Sequence, residues 1–218
     1  MGPGMNKAVG LGCLGLVLLV GVIVLFVGVG GYNSLNTLNQ DVDGKWADVQ
    51  GQYQRRADLI PNLVQTVQGS ANFEKSTLTE VTQARASATS VKIDPSKAPT
   101  DPAQLAAYQK AQDQLGGSLS RLLVSVEKYP EVKSTAAFQQ LQAQIEGTEN
   151  RIAVSRRDFN GSTQKYNTAR SAFPTVLYAS AVGYQPKPFF KADEAAQNAP
   201  KVNFGSFSSS PAPAATPQ

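Results

Sequence analysis

Apolar residues follow two patterns along this chain. From Ala8 to Gly31 they are nearly continuous, with no charged residue among them. At about 1.5 Å per residue this run is long enough to cross a hydrocarbon core of about 30 Å, which predicts a transmembrane helix over 8–31 after a short N-terminal segment, 1–7. The run outlasts the roughly 7 to 15 apolar residues of a signal peptide, and helical periodicity resumes directly after it, so a cleaved leader is disfavoured.

Beyond the run the spacing turns helical. Leu35, Leu38, Val42, Trp46, Val49, Tyr53, Ile60, Leu63 and Val67 keep one phase across Pro61. One helix over about 32–69 follows, kinked near the proline and continuous with the membrane segment. Phe73, Leu78, Val81 and Arg85 predict a shorter helix, 72–89. Pro95 and Pro99 mark a loop. Asp101 before Pro102 is an N-cap with proline at the first helical position, opening a helix to about residue 128 that Tyr129 and Pro130 end. The longest stripe then runs Phe138, Leu141, Ile145, Thr148, Ile152, Ser155, Phe159, Ser162, Tyr166, Ala169 and Phe173 in alternating steps of three and four. It predicts a helix over 135–173, stopped by Pro174.

The fold expected is all-α: a membrane helix continuing into a long antiparallel four-helix bundle, 32–174, running up-down-up-down. The first and last bundle helices are each roughly 56 Å long, against about 30 and 40 Å for the middle two. The segment 175–204 is apolar and aromatic, interrupted by Pro186 and Pro188, and too short to span a bilayer. It is expected to pack on the bundle or at the membrane interface. Residues 205–218, rich in Ser, Pro and Ala, are expected to be disordered.

Equal distances from the membrane-side ends bring Arg55 and Arg56 opposite Glu146, Glu149 and Asn150. With Asp58, Arg156, Arg157 and Asp158 these residues form an expected interhelical polar layer. The arginine pairs also suit an anionic partner such as phospholipid head groups, since guanidinium forks match phosphate geometry; the structural role is favoured. Glu146 and Glu149 are spaced like an acid/base pair, but flanking basic residues would hold both ionised. Asn160 and Asn167, seven apart on one helix face, are candidates for contacts to another helix or subunit, as are Tyr178, Tyr184, Phe189 and Phe190.

Composition narrows the chemistry. The 218 residues include no histidine, which removes the usual general base and the commonest metal ligand. The only cysteine, Cys13, lies in the apolar run, so the rest of the chain has neither disulfide nor thiolate site. No catalytic, metal or cofactor residues are expected, and no small-molecule substrate. The net charge of +4 is spread among interleaved acids and bases, which disfavours nucleic acid. Lys7 stands before the run, whereas Asp41 and Asp43 precede the first base after it, Lys45. By the positive-inside rule the N-terminus is cytoplasmic and the bundle lies outside, on the periplasmic or extracellular face.

Three blocks resemble the LemA family of bacterial membrane proteins: Trp46 with Gln54-Arg55-Arg56-Ala57-Asp58-Leu59-Ile60-Pro61-Asn62-Leu63-Val64; Tyr129-Pro130-Glu131-Val132-Lys133; and Glu146-Gly147-Thr148-Glu149-Asn150-Arg151-Ile152 on through Arg156-Arg157-Asp158-Phe159-Asn160, Tyr166-Asn167 and Phe173-Pro174. Phe159 stands where the family often has tyrosine. The likeness covers about 32–204. It implies a short N-terminus, one membrane helix and a long helical bundle in the bacterial inner membrane, without established catalysis, cofactor or ligand. The resulting expectation is a non-enzymatic membrane-anchored scaffold that holds copies of itself or an envelope protein. The alternative is a ligand-sensing or adaptor bundle coupled to a separate membrane protein.

Overall fold

The structure, a computed structural model, describes residues 3–69 and 73–191, apart from the side chains of 3–13, 17, 20, 23–25 and 27. The expectations for 192–218, including the disordered tail, lie outside the described residues. Helix α1 spans Pro3–Gln68 without interruption and carries Pro61 inside it. Among the described residues no helix is long and apolar enough to cross a membrane. Much of the run 8–31 falls on residues whose side chains lie outside that set.

Helix α2 spans Lys75–Ser90 and α3 spans Pro102–Val126. Asp101 caps α3 as its sequence position requires, its side chain accepting from the Ala103 N–H at 2.8 Å. The Tyr129-Pro130 break is more than a turn. It holds a four-residue helix, α4, Pro130–Lys133, because proline suits a first helical position as well as it ends the preceding helix. Helix α5, Ala136–Ser171, starts at the Thr135 cap and stops before Pro174. A 3-10 turn, Thr175–Leu177, and an extended strap, 184–191, follow. Gly183, at φ 89°, takes the left-handed backbone that reverses the chain into the strap.

Helices α1 and α5 lie against each other antiparallel: Trp46 meets Phe159, with ring centroids 5.7 Å apart, and Arg56 meets Glu149. Helices α2 and α3 pair beside them. Two apolar clusters fill the interior. One joins Ile60, Leu63 and Val67 of α1 to Leu115, Leu119 and Leu122 of α3 and to Phe138 and Ile145 of α5. The other gathers Leu35, Val42, Trp46, Val49 and Tyr53 with Tyr108, Ile152, Phe159, Tyr166 and Phe190. The helical stripes read from the sequence supply both clusters, since every third or fourth residue of each helix faces inward.

Candidate functional site

A polar layer and the cleft beside it

Between the two clusters, one turn beyond Tyr53 and one before Ile60, the inward position of α1 is Arg56, only 2% exposed. A buried guanidinium must spend its donors inside the protein. Its Nη1 donates to Glu149 Oε1 at 2.8 Å, and its Nη2 donates to the Gln112 carbonyl at 2.8 Å and to Gln112 Oε1 at 2.7 Å. Gln112 in turn donates to the Ala88 carbonyl at 3.3 Å, and Arg85 Nε donates to the Ala57 carbonyl at 2.8 Å. One polar layer thus ties α1, α2, α3 and α5 together.

Of the residues expected in that layer, Arg56 and Glu149 take part. Arg156 pairs instead with Asp113 of α3 at 3.1 Å. Arg55, Asp58, Glu146, Asn150 and Asp158 are exposed outside the layer, and Arg157 is exposed at the rim of the cleft beside it. Asp58 and Glu146 each accept locally from a glutamine four residues earlier on their own helix. The equal-distance argument located the level correctly but not the helix face, because adjacent residues on a helix point about 100° apart.

The layer opens on a cleft of about 710 Å³ lined by α1, α3, α5 and the strap. Arg56, Arg156, Arg157 and Lys191 stand in it against Asp113 and Glu149, with Ile152 and Phe190 as apolar floor. Arg156 also lies over the Phe190 ring, 4.9 Å from its centroid, and donates from Nη2 to the Lys191 carbonyl at 3.1 Å. Tyr53 borders the cleft, and burial holds its hydroxyl well above the usual phenol range; the nearby Arg156 and Arg56 charges pull the other way.

The strap between the long helices

The strap runs in the groove between α1 and α5, alongside α1 and against the direction of α5. Three side-chain amides clamp its backbone at two points each. Asn160 Nδ2 donates to the Phe190 carbonyl at 2.9 Å and Asn160 Oδ1 accepts from the Phe190 N–H at 2.9 Å. Asn167 repeats the pattern on Lys187 at 2.8 and 3.0 Å, and Gln109 repeats it on Lys191 at 3.0 and 3.1 Å. Each amide offers an extended chain what a neighbouring strand would offer: a donor and an acceptor side by side.

Asn160 and Asn167, expected to reach another helix or subunit, therefore hold the chain's own C-terminal segment. Phe190 is buried, stacked on Trp46 at 6.1 Å, and Tyr184 meets Tyr32 edge-on at 5.8 Å while its hydroxyl donates to Asn36 Oδ1 at 3.2 Å. Tyr178 donates to the Gly28 carbonyl at 3.3 Å. A Cβ at Gly31 would meet the Tyr178 hydroxyl, so a larger residue there would displace the end of that side chain. Phe189 alone of this set remains largely exposed, at 45%.

Lys187 is buried. Its Nζ reaches Asp43 Oδ1 at 2.6 Å, the same oxygen that accepts from the Ala98 N–H at 2.9 Å. Sequence reasoning missed Asp43, Gln109, Gln112 and Lys187. For the two glutamines a signal existed: they continue the Leu105, Tyr108, Leu115 stripe of α3 at seam positions, where a polar side chain needs an internal partner. Among the described residues no group of His, Cys, Asp and Glu is arranged to hold a metal ion.

Relationship to known proteins

A continuous long helix paired antiparallel with a second long helix, and closed by a strap held through repeated amide clamps, defines an all-helical protein. The LemA family model matches residues 45–204, and the chain belongs to the LemA family. Magnetosome protein MamQ of Magnetospirillum gryphiswaldense is 27% identical over 174 residues, covering 73% of this chain and 64% of that protein. Magnetosome protein MamQ 2 of Paramagnetospirillum magneticum is 24% identical, with the same coverages. Protein LemA of Metamycoplasma hominis is 26% identical over 82% of this chain and 76% of its own length. The chain thus spans less than two thirds of the length of the MamQ relatives.

Proposed function

We propose that this protein is a non-enzymatic, membrane-anchored scaffold. Its N-terminal run crosses the inner membrane once, with the N-terminus cytoplasmic, and the helical domain holds copies of itself or an envelope protein outside. One observation carries the anchoring. Leu14, Leu16, Leu18, Leu19, Val22, Phe26 and Val29 stand at least half exposed on α1. At the end of that stretch Tyr178 bonds the Gly28 carbonyl, bringing a second exposed apolar group, Phe173 (81%), Leu177 (73%) and Val182 (49%), to the same level. So much unpartnered apolar surface calls for a covering phase, and a bilayer covers both parts at once.

The reading is tested in native membranes by crosslinking with mass spectrometry, together with thiol labelling of Ser208→Cys. Crosslinks between copies, with Ser208→Cys labelled from outside, are the expected result. A chain that washes off the membrane in alkaline carbonate overturns the anchor. Labelling only after the membrane is opened overturns the orientation, and purely monomeric behaviour with no crosslinked partner overturns the scaffold.

A further inference from the structure

We propose that the cleft beside the Arg56 layer binds a small soluble organic anion, a carboxylate or phosphate monoester carrying an apolar group. Four cationic and two anionic side chains line it. Arg56 and Arg156 are matched by Glu149 and Asp113, which makes them a fixed wall. Arg157 is different: it is exposed on the rim and forms no ion pair among the described residues, with Lys191 exposed on the same rim. This leaves an excess of positive charge over a concave surface, the setting in which a guanidinium fork recognises an oxyanion.

A second observation points into the same place. Among the described residues the Tyr53 hydroxyl and Arg56 Nε are buried side-chain atoms without a hydrogen-bond partner, and both residues line the cleft. Buried donors are ordinarily satisfied, so these two call for an explanation, and a small shift of the cleft wall on ligand binding would supply each with a partner. Tyr53 is 3% exposed. Its ring lies beside the Arg56 guanidinium, 5.2 Å from ring centroid to Cζ, between this cleft and a second pocket shared with Tyr108 and Gln112.

Shape sets the rest of the ligand. Ile152 and Phe190 supply an apolar floor, so an anion with a small hydrocarbon or aromatic body gains more than phosphate alone. Gly116 and Gly117 keep the α3 wall low, and a Cβ at Gly117 would make only an ordinary contact, with Arg121 Nη1 at 3.9 Å. Arg56 lies 25 positions beyond Gly31 on one continuous helix, roughly 38 Å along its axis. A head group of the bilayer in which α1 is embedded does not reach that height, which makes the soluble source the one proposed.

The test uses the full chain in neutral detergent, with phenyl phosphate as probe and saturation-transfer NMR as readout. Phenyl phosphate should bind more tightly than inorganic phosphate, and benzyl alcohol should not bind. Arg157→Gln with Lys191→Gln should weaken phenyl phosphate about tenfold or more, while Arg151→Gln with Lys165→Gln, an equal loss of two charges at exposed positions elsewhere on α5, leaves it unchanged. Gly117→Leu, which adds a helix-favouring side chain in the cleft, should block binding while the helical circular dichroism is retained. Absence of anion binding, survival of binding in the double variant, or equal binding of benzyl alcohol overturns the proposal. Displacement of the probe by phosphatidylglycerol vesicles would assign the site to lipid head groups and overturn the soluble source.

Discussion

Arg56 and Glu149 are 93 residues apart in sequence and 2.8 Å apart in the fold, at the level where the two apolar clusters of the interior meet. The pair is asymmetric: the Arg56 side chain is 3% exposed and that of Glu149 is 41% exposed. Removing the carboxylate therefore strands a buried charge, whereas removing the arginine strands a residue that water reaches. Glu149→Ala should cost about 3 kcal/mol. Arg56→Met, which fills the volume without a charge, should cost less, about 1 to 2 kcal/mol, mainly from the unpaired Gln112. Urea unfolding of both variants measures the difference, and equal losses would count against this account.

The strap clamps predict a local effect. Asn160→Asp keeps the shape but replaces a donor with an acceptor facing the Phe190 carbonyl, at a cost of about 1 to 3 kcal/mol. Its hydrogen exchange should rise at residues 187–191 before the helices respond. Phe190→Ala should open a cavity against Trp46 and cost about 3 to 5 kcal/mol. Trp46 is the single tryptophan, so its fluorescence should shift to the red in that variant.

Lys187 and Asp43 join the strap to α1 and, through the Ala98 N–H, to the loop before α3. Asp43→Asn leaves a buried ammonium unpaired and should destabilise by about 3 kcal/mol. Replacing both, Asp43→Asn with Lys187→Met, should recover most of that loss. Thermal melts of the single and double variants decide, and a double variant no better than the single would show that the loss comes from Asp43's bonds to Ala98 and Asn39 and not from the stranded ammonium.

Alkaline titration gives a fourth expectation. Burial pushes the Tyr108 hydroxyl up to about 12, the nearby Arg56 charge opposing it, and burial likewise pushes Tyr166 up to about 12. The unfolded phenol titrates near about 10, so between these values the folded chain holds more protons than the unfolded one, and stability falls as pH rises. The contribution is complete below about pH 10 and lost on passing through about 12. Tyrosinate absorbance should appear for the exposed tyrosines first, and for Tyr108 and Tyr166 only with loss of helical circular dichroism.

The sequence by itself determined the helices and their inward faces. Periodicity is a local property, and Trp46, Phe159, Tyr166 and Leu119 lie inside because their own helices turn them there once anything packs alongside. The Asp101 cap and the stop before Pro174 were legible for the same reason: both are set by backbone chemistry within a few residues. Tertiary structure alone decided which polar residues met. Arg55 and Arg56 are neighbours of one type, yet one faces water and the other closes the interior, because the rotation of α1 against three other helices selects a single side. The Lys187–Asp43 pair, the amides of Gln109, Asn160 and Asn167 on the strap, and the cleft at Arg157 depend on residues dozens of positions apart. No local pattern encodes them, since they exist only after the long helices have closed on each other and left a groove for the chain's own end to fill.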